Sequence, residues 1–245
     1  MNESTYDKQP GIVELRQYTL HSHKRDVLID LFDRELVETQ EEVGMTVIGQ
    51  FRDLDNPDRF VWLRGFEDME ARHAGLTAFY DGSVWQRHAS TANATMIDSD
   101  NVLLLRPAWP GAQLPMNPAR RAGHGATAIP SGFVDVTIYY LKEPASEQLL
   151  RFCRECVSGV FDRGGVCAQG WYITEPSEND FCRLPVRTDG DVLISIALFP
   201  DMASYDAFGR SSLWVQEVAP RMAWWPMRFI EKYRLVPTAR SAIHA

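Results

Sequence analysis

The ten residues GIVELRQYTL, at positions 11–20, return later in the chain as GFVDVTIYYL at positions 132–141. The offset is 132 − 11 = 121 positions, and it aligns a glycine, a valine, a tyrosine and a leucine of the two stretches. In a β-strand, successive side chains point to opposite faces of the sheet. An internal repeat decides the fold, because one supersecondary unit must then occur twice.

The repeat continues beyond this strand. The offset of 121 also aligns Leu28 with Leu149, Gly44 with Gly165, and Gly49 with Gly170. Further on, Phe66 and Asp68 align with Phe199 and Asp201 at an offset of 133, so the second copy carries 133 − 121 = 12 additional residues before its third strand. The pattern predicts one βαββαβ unit written twice.

The two predicted units span residues 11–107 and 132–238, and the Pro-, Gly- and Ala-rich residues 108–131 form the predicted linker. In a βαββαβ unit both helices cover one face of a four-stranded antiparallel sheet. The other face must also be buried. We therefore predict that the two sheets face each other, with all helices outside.

The alternation of the first and third strands predicts which side chains share a face. Glu14, Arg16 and Tyr18 fall on one face of the first strand, and Trp62 and Arg64 continue that face on the third. We predict that this bulky polar set faces the space between the sheets. The small set, which comprises Val61, Leu63 and Gly65, is predicted to pack under the helices.

The polar set is the candidate site. Two arginines beside one carboxylate leave a net positive charge, which suits a carboxylate, an enolate or a polarised carbonyl. Tyr18 is a candidate hydrogen-bond or proton donor. We predict Arg16, Tyr18 and Arg64 as catalytic residues; the predicted substrate-binding residues are Glu14, Trp62, Thr137, Tyr139, Ser195 and Ala197. The alternative is a structural ion-pair network.

The second unit replaces the large polar residues with small ones. Arg16, Trp62 and Arg64 align with Thr137, Ser195 and Ala197. This pattern predicts an asymmetric site in which the first unit supplies polar groups and the second supplies room. In the alternative, Trp171 and Phe199 refill the volume.

Two motifs of the first unit resemble the NIPSNAP family. They are E-L-R-x-Y (Glu14, Leu15, Arg16, Tyr18) and W-x-R-x-F-x-D-x-x-x-R (Trp62, Arg64, Phe66, Asp68, Arg72), the latter leading toward Trp85. The resemblance covers residues 11–107, and the second unit departs from it. It implies the dimeric α+β barrel superfamily: an α+β fold of two tandem ferredoxin-like repeats whose antiparallel sheets face each other as a barrel. That superfamily includes cofactor-free monooxygenases, isomerases and haem enzymes.

The composition argues against two classes of partner, nucleic acids and membranes. A net charge of −8 and a pI near 5.3 argue against nucleic acid. The sequence contains no run of about 18 apolar residues, so we predict no membrane span. The start lacks the pattern of a secretory signal, so we expect a cytoplasmic protein with reduced thiols. A homo-oligomer remains one alternative.

The cysteines and histidines predict no metal site. Cys153-x-x-Cys156 aligns with helix positions Phe32 and Glu35, so we interpret the pair as packing residues. His21 and His23 lack a third ligand of recognisable spacing. The second unit has no histidine before the C-terminal tail, which disfavours a haem ligand there. We expect no cofactor.

Three functions follow from these observations. The first is an enzyme without a bound cofactor that acts on an apolar small molecule with a carbonyl or carboxylate. The second is a non-catalytic NIPSNAP-type binding or scaffold protein. The third is a haem enzyme of the same barrel group. A cavity beside the polar set favours the first, and a filled layer between the sheets favours the second.

Overall fold

The computed structural model describes residues 9–116 and 120–245. The first half contains β1 (Ile12–Leu20), α1 (Arg25–Leu31), a π-helical turn (Phe32–Leu36), α2 (Val37–Glu41), β2 (Thr46–Asp53), β3 (Arg59–Phe66), α3 (Met69–Tyr80), α4 (Ser83–Asn93), β4 (Met96–Asp98) and β5 (Val102–Pro107). The second half contains β6 (Phe133–Leu141), α5 (Glu147–Phe152), a π-helical turn (Cys153–Val157), α6 (Ser158–Arg163), β7 (Ala168–Thr174), β8 (Val192–Phe199), α7 (Met202–Arg210), a π-helical turn (Trp214–Val218), α8 (Ala219–Met222) and β9 (Met227–Pro237).

Eight strands close into an antiparallel barrel in the order β1–β3–β2–β9–β6–β8–β7–β5, and β5 returns to β1. The short β4 pairs with the end of β1 outside this ring. Each half has the same internal order, with its last strand beside its first, then its third, then its second. The predicted α+β barrel of facing antiparallel sheets is therefore confirmed.

Two junctions join the halves. The first pairs Phe51–Asp53 of β2 with Leu235–Pro237 of β9. The second pairs Leu105–Pro107 of β5 with residues 172–174 of β7. Each junction joins the second strand of one half to the last strand of the other, so the halves meet in a reciprocal way.

Aligned residues of the two halves have the same structural roles at the ends of helices. The side chains of Asp68 and Asp201 accept hydrogen bonds from backbone N–H groups in the first turns of α3 and α7 and so cap these helices. Gly44 and Gly165, just after helices, have φ angles of +87° and +83°, which glycine adopts without strain. The offsets found in the sequence thus mark helix starts and ends.

The barrel interior is apolar and is built by both halves. Its residues come from alternate positions of the strands and include Val13, Leu15, Val61, Leu63, Val134, Val136, Ile194 and Ile196. The predicted assignment of faces is therefore wrong, because the aliphatic set lies inside the barrel and the polar set lies under the helices. An eight-stranded barrel has an interior just wide enough for side chains to fill. The long arginine and tryptophan side chains pack between the sheet and the helices.

None of the helices in the described part of the chain is long and apolar enough to cross a membrane.

Candidate functional site

A glutamate lies at the centre of a buried group of arginines between the first-half sheet and its helices. The carboxylate of Glu14 contacts Arg64 at 2.6 Å, Arg16 at 2.7 Å and Arg72 at 2.8 Å. All four side chains are buried. We call Glu14, Arg16, Arg64 and Arg72 the arginine cluster.

Strand register and one helix bring the cluster together. β1 and β3 are antiparallel neighbours in which Glu14 lies opposite Arg64 and Arg16 lies opposite Trp62. Residues directly opposite on one face of a strand pair interact. Arg72 comes from the first turns of α3, four residues after its cap Asp68. The sequence placed Glu14, Arg16, Tyr18, Trp62 and Arg64 on one face, and they do share one.

The cluster carries more positive than negative charge. Burial would raise the pKa of Glu14, but the guanidiniums of Arg64, Arg16 and Arg72 hold it well below its ordinary range. The second carboxylate is that of Asp180, at 2.6 Å from Arg72. Three guanidiniums and two carboxylates leave 3 − 2 = +1. A buried surplus charge is costly unless an anion or a polarised oxygen meets it.

Tyr18 and Trp62 add hydrogen-bond donors beside the cluster. The hydroxyl of Tyr18 accepts a hydrogen bond from Arg16 Nε at 2.9 Å, so this contact does not use the phenolic proton. Burial raises the pKa of Tyr18, which keeps the phenol protonated at neutral pH. The buried indole Nε1 of Trp62 has no hydrogen-bond partner among the described residues. Both groups are donors that a ligand oxygen could accept from.

A loop from the second half closes the layer that holds the cluster. We call residues 175–190 the cover segment; they include the 12 additional residues of the second half. Asp180 contacts Arg72, and its backbone oxygen lies 2.9 Å from His73 Nδ1. Phe181 is buried, with its ring 5.8 Å from that of Tyr80. The layer around the arginine cluster is thus completed by residues of the second half.

The predicted substrate-binding residues of the second half do not join this cluster. Thr137, Tyr139, Ser195 and Ala197 are buried under the helices of their own half. Thr137 Oγ1 donates to the carboxylate of Asp135 at 3.0 Å. The expected single site lined by both units in the space between the sheets is therefore wrong.

The predicted room in the second half is filled. Trp171 of β7 lies directly opposite Ser195 of β8, and Trp171 and Phe199 are both buried. In the first half Trp62 of β3 lies opposite Gln50 of β2. The tryptophan therefore comes from the third strand in the first half and from the second strand in the second half. Either position fills the volume under the helices.

Sequence reasoning missed two contributors to the cluster. Arg72 ends the W-x-R-x-F-x-D-x-x-x-R motif, and its spacing from the capping Asp68 places it beside the sheet. Asp180 lies in the inserted loop, whose length was the only signal in the sequence. The course of such a loop depends on contacts distant in sequence.

Cys153 and Cys156 lie in the second half, away from the cluster. Cys153 is buried among the helix-side residues of the second half, as its alignment predicts, and burial raises the pKa of this thiol. Cys156 is half-buried, with Sγ 3.1 Å from Arg221 Nη1. No three His, Cys, Asp or Glu side chains within residues 9–116 and 120–245 are grouped so as to hold a metal ion.

Comparison with known proteins supports the family resemblance of the first half and the barrel fold. The NIPSNAP family model matches residues 13–109, which confirms the resemblance drawn from the motifs of the first unit. A Fusobacterium nucleatum protein with the provisional name of a monooxygenase aligns with a TM-score of 0.64 and 9% identity, over 96% of this chain and 95% of that chain. A Lactobacillus acidophilus protein with the same provisional name gives 0.60 and 12%, over 95% and 98%.

A third solved structure, of an anthrone oxidase-like protein, aligns with a TM-score of 0.55 and 13% identity over 98% of both chains. At these identities the likeness shows the barrel fold and no particular activity. A comparison with curated proteins finds no significant sequence match.

Proposed function

We propose that the protein is a small-molecule enzyme that acts, without a bound cofactor, on an apolar substrate with a carbonyl or carboxylate. The substrate lies in the first-half layer between sheet and helices, against Arg16, Tyr18 and Arg64. The observation that carries this proposal is the surplus charge of the cluster together with the unpaired Trp62 N–H. Both are met by one ligand oxygen that carries or develops negative charge.

The roles of the residues follow from their contacts. Arg16 bonds both Glu14 and the Tyr18 hydroxyl, so it fixes the direction in which that hydroxyl presents its proton. A protonated phenol held in this way stabilises an enolate or carbonyl oxygen by hydrogen bonding. Arg64 is bonded through two nitrogens to Glu14, and its guanidinium lies 5.2 Å from the Trp62 ring. Arg64 therefore positions Glu14 and Trp62, and its charge strengthens the field on the ligand oxygen.

The test uses anthrone, an apolar polycyclic ketone, because one protein of the same fold is named anthrone oxidase-like. Binding is measured by quenching of tryptophan fluorescence, and turnover by oxygen consumption. Tyr18→Phe keeps the ring and removes the hydroxyl, and Trp62→Phe replaces the indole by a smaller ring that has no N–H donor. We expect each to weaken binding or turnover by about tenfold, the effect of one lost hydrogen bond to a charged or polarised oxygen.

Tyr172→Phe is the matched control. Its hydroxyl is also buried, but it lies inside the barrel and accepts from the backbone N–H of Leu114. The proposal fails if the native protein neither binds nor converts the ketone, or if Tyr172→Phe lowers activity as much as Tyr18→Phe.

A second candidate is a non-catalytic binding or scaffold protein of NIPSNAP type. Two observations favour it. Buried aliphatic side chains fill the space between the sheets, and all three arginines already bond the carboxylate of Glu14. Such a network stabilises the fold without any ligand. In that case Tyr18→Phe and Trp62→Phe change only the free energy of unfolding and affect no ligand.

The haem alternative does not fit the described residues. The second half has no histidine before its C-terminal tail, and its helix-side layer is filled by aromatic rings such as Trp171 and Phe161. A haem iron needs an axial ligand such as histidine. No step of the proposed reaction uses a haem.

A further inference from the structure

The cover segment is fixed at both ends to the edge of β5. The backbone N–H of Glu175 donates to Leu104 O at 2.9 Å, and that of Arg187 donates to Val102 O at 2.8 Å. Between these points the chain forms no helix or strand. The two ends are therefore held by backbone bonds to β5, and the middle is held by other contacts.

The middle of the cover segment reaches the first half mainly through side chains. Asp180 bonds Arg72, and Arg183 bonds Asp81 at 2.8 Å. Phe181 is buried, but Cys182 and Arg183 beside it are exposed. One carboxylate and one aromatic ring, adjacent in the chain, thus occupy the outer end of the layer that holds the cluster.

Removal of this carboxylate changes the charge of the cluster. With Asp180 in place the surplus is +1, and without it the surplus is 3 − 1 = +2. Arg72 is fully buried with Asp180 in place, so loss of Asp180 leaves its guanidinium without its second carboxylate. Displacement of Asp180 is therefore favourable only when another carboxylate takes its place, and a guanidinium binds carboxylates through paired hydrogen bonds.

We propose that Asp180 and Phe181 occupy the binding position of a small aryl carboxylate, which displaces them to enter the layer. The carboxylate of this ligand binds Arg72, and its apolar ring takes the space of the Phe181 ring beside Tyr80 and His73. The inference rests on the proposed function and names the substrate class: a monocarboxylate with an aromatic body. The cover segment then competes with the ligand for the same contacts.

The experiment titrates the full-length protein with 3-phenylpropionate in a calorimeter. The variant Asp180→Asn with Phe181→Ala removes the competing carboxylate and ring. We expect it to bind at least about tenfold more tightly than the native protein, because the bound arrangement no longer has to displace the cover. Asp189→Asn is the matched control. It removes a charge from the same segment, but the carboxylate of Asp189 bonds Arg187 and does not contact the cluster.

The neutral amide of the same acid separates charge from apolar burial. We expect 3-phenylpropionamide to bind at least about tenfold more weakly than the acid, because it offers Arg72 no anion. The proposal is overturned if the double variant binds the acid no more tightly than the native protein, or if amide and acid bind equally.

A measurement on the native protein covers the case in which the double variant does not fold. Hydrogen–deuterium exchange follows the backbone amides of residues 180–184. We expect saturating 3-phenylpropionate to speed the exchange of these amides, because the ligand displaces the segment from its contacts with the first half. Unchanged or slower exchange overturns the proposal. Phenylpropionate binding without ketone turnover would defeat the proposed function alone. Ketone turnover without phenylpropionate binding would defeat this inference alone.

Discussion

The guanidinium of Arg72 lies 2.6 Å from the carboxylate of Asp180, which is 108 positions further along the chain and in the other half of the barrel. Arg72 also contacts Glu14 at 2.8 Å. A single arginine therefore connects the centre of the first-half cluster to the inserted loop of the second half. The loop and the cluster are therefore connected, and a substitution in either should change the stability of the other.

Glu14→Gln should strongly destabilise the protein. The substitution keeps the shape of the side chain but leaves three buried guanidiniums without their shared carboxylate. Removal of one partner from a buried ion pair costs about 3–5 kcal/mol. Urea unfolding followed by circular dichroism measures the loss. Glu147→Gln, at an exposed pair with Arg151, should leave the free energy of unfolding unchanged.

Acid should destabilise the native protein more steeply than the Glu14→Gln variant. The folded-state pKa of Glu14 lies well below its ordinary value of 4.5. A lowered pKa contributes stability above the unfolded-state pKa, and this contribution is lost as pH falls toward the folded-state pKa. Unfolding free energies measured from pH 6 down to about pH 3 should therefore fall more steeply in the native protein. Equal slopes would show that the pKa of Glu14 is the same in the folded and the unfolded protein.

Asp180→Asn should expose the cover segment to protease. The substitution removes the anion that holds the segment on Arg72, so the middle of the segment opens more often. Trypsin should then cleave after Arg183 several-fold faster, in proportion to the open population. Mass spectrometry of timed digests locates the cut. Glu217→Gln, at an exposed pair with Arg163, should leave the rate at Arg183 unchanged.

Trp171→Ala should cost about 3–5 kcal/mol of unfolding free energy, the usual range for removal of a large buried aromatic residue. Trp171 is almost fully buried opposite the small Ser195, so nothing nearby refills the volume. Trp224→Ala is the control, because Trp224 is 81% exposed and should contribute little. A small loss for Trp171→Ala would mean that the second-half layer collapses into the space.

The sequence predicted the facing antiparallel sheets and the neighbours within the cluster, because the strand alternation and the internal repeat indicate both. The period of two placed Glu14, Arg16 and Tyr18 on one face, and the repeat made β1 and β3 neighbours. The same alternation defines two faces without saying which one turns inward. Both faces of β3 are buried, so hydrophobicity did not separate the interior set of Val61 from the helix-side set of Trp62.

The remaining errors concern contacts between distant parts of the chain. Trp171 fills the volume of Trp62 from a different strand, which is the alternative named from the sequence, but alignment of the two units did not decide between this and an open pocket. Asp180 reaches Arg72 through an irregular loop whose path is set by tertiary contacts. Local propensity and periodicity carry no information about either.

The short β2–β9 junction between the halves closes the ring. It has three residue pairs, whereas β1–β3 and β6–β8 have eight each. Its partners Phe51 and Pro237 are 237 − 51 = 186 positions apart, and contacts between distant parts of a chain form late in folding. A chain whose ring is still open presents the unpaired edges of β2 and β9. Two such chains could exchange halves before either closes, so slow ring closure at high protein concentration favours a domain-swapped dimer.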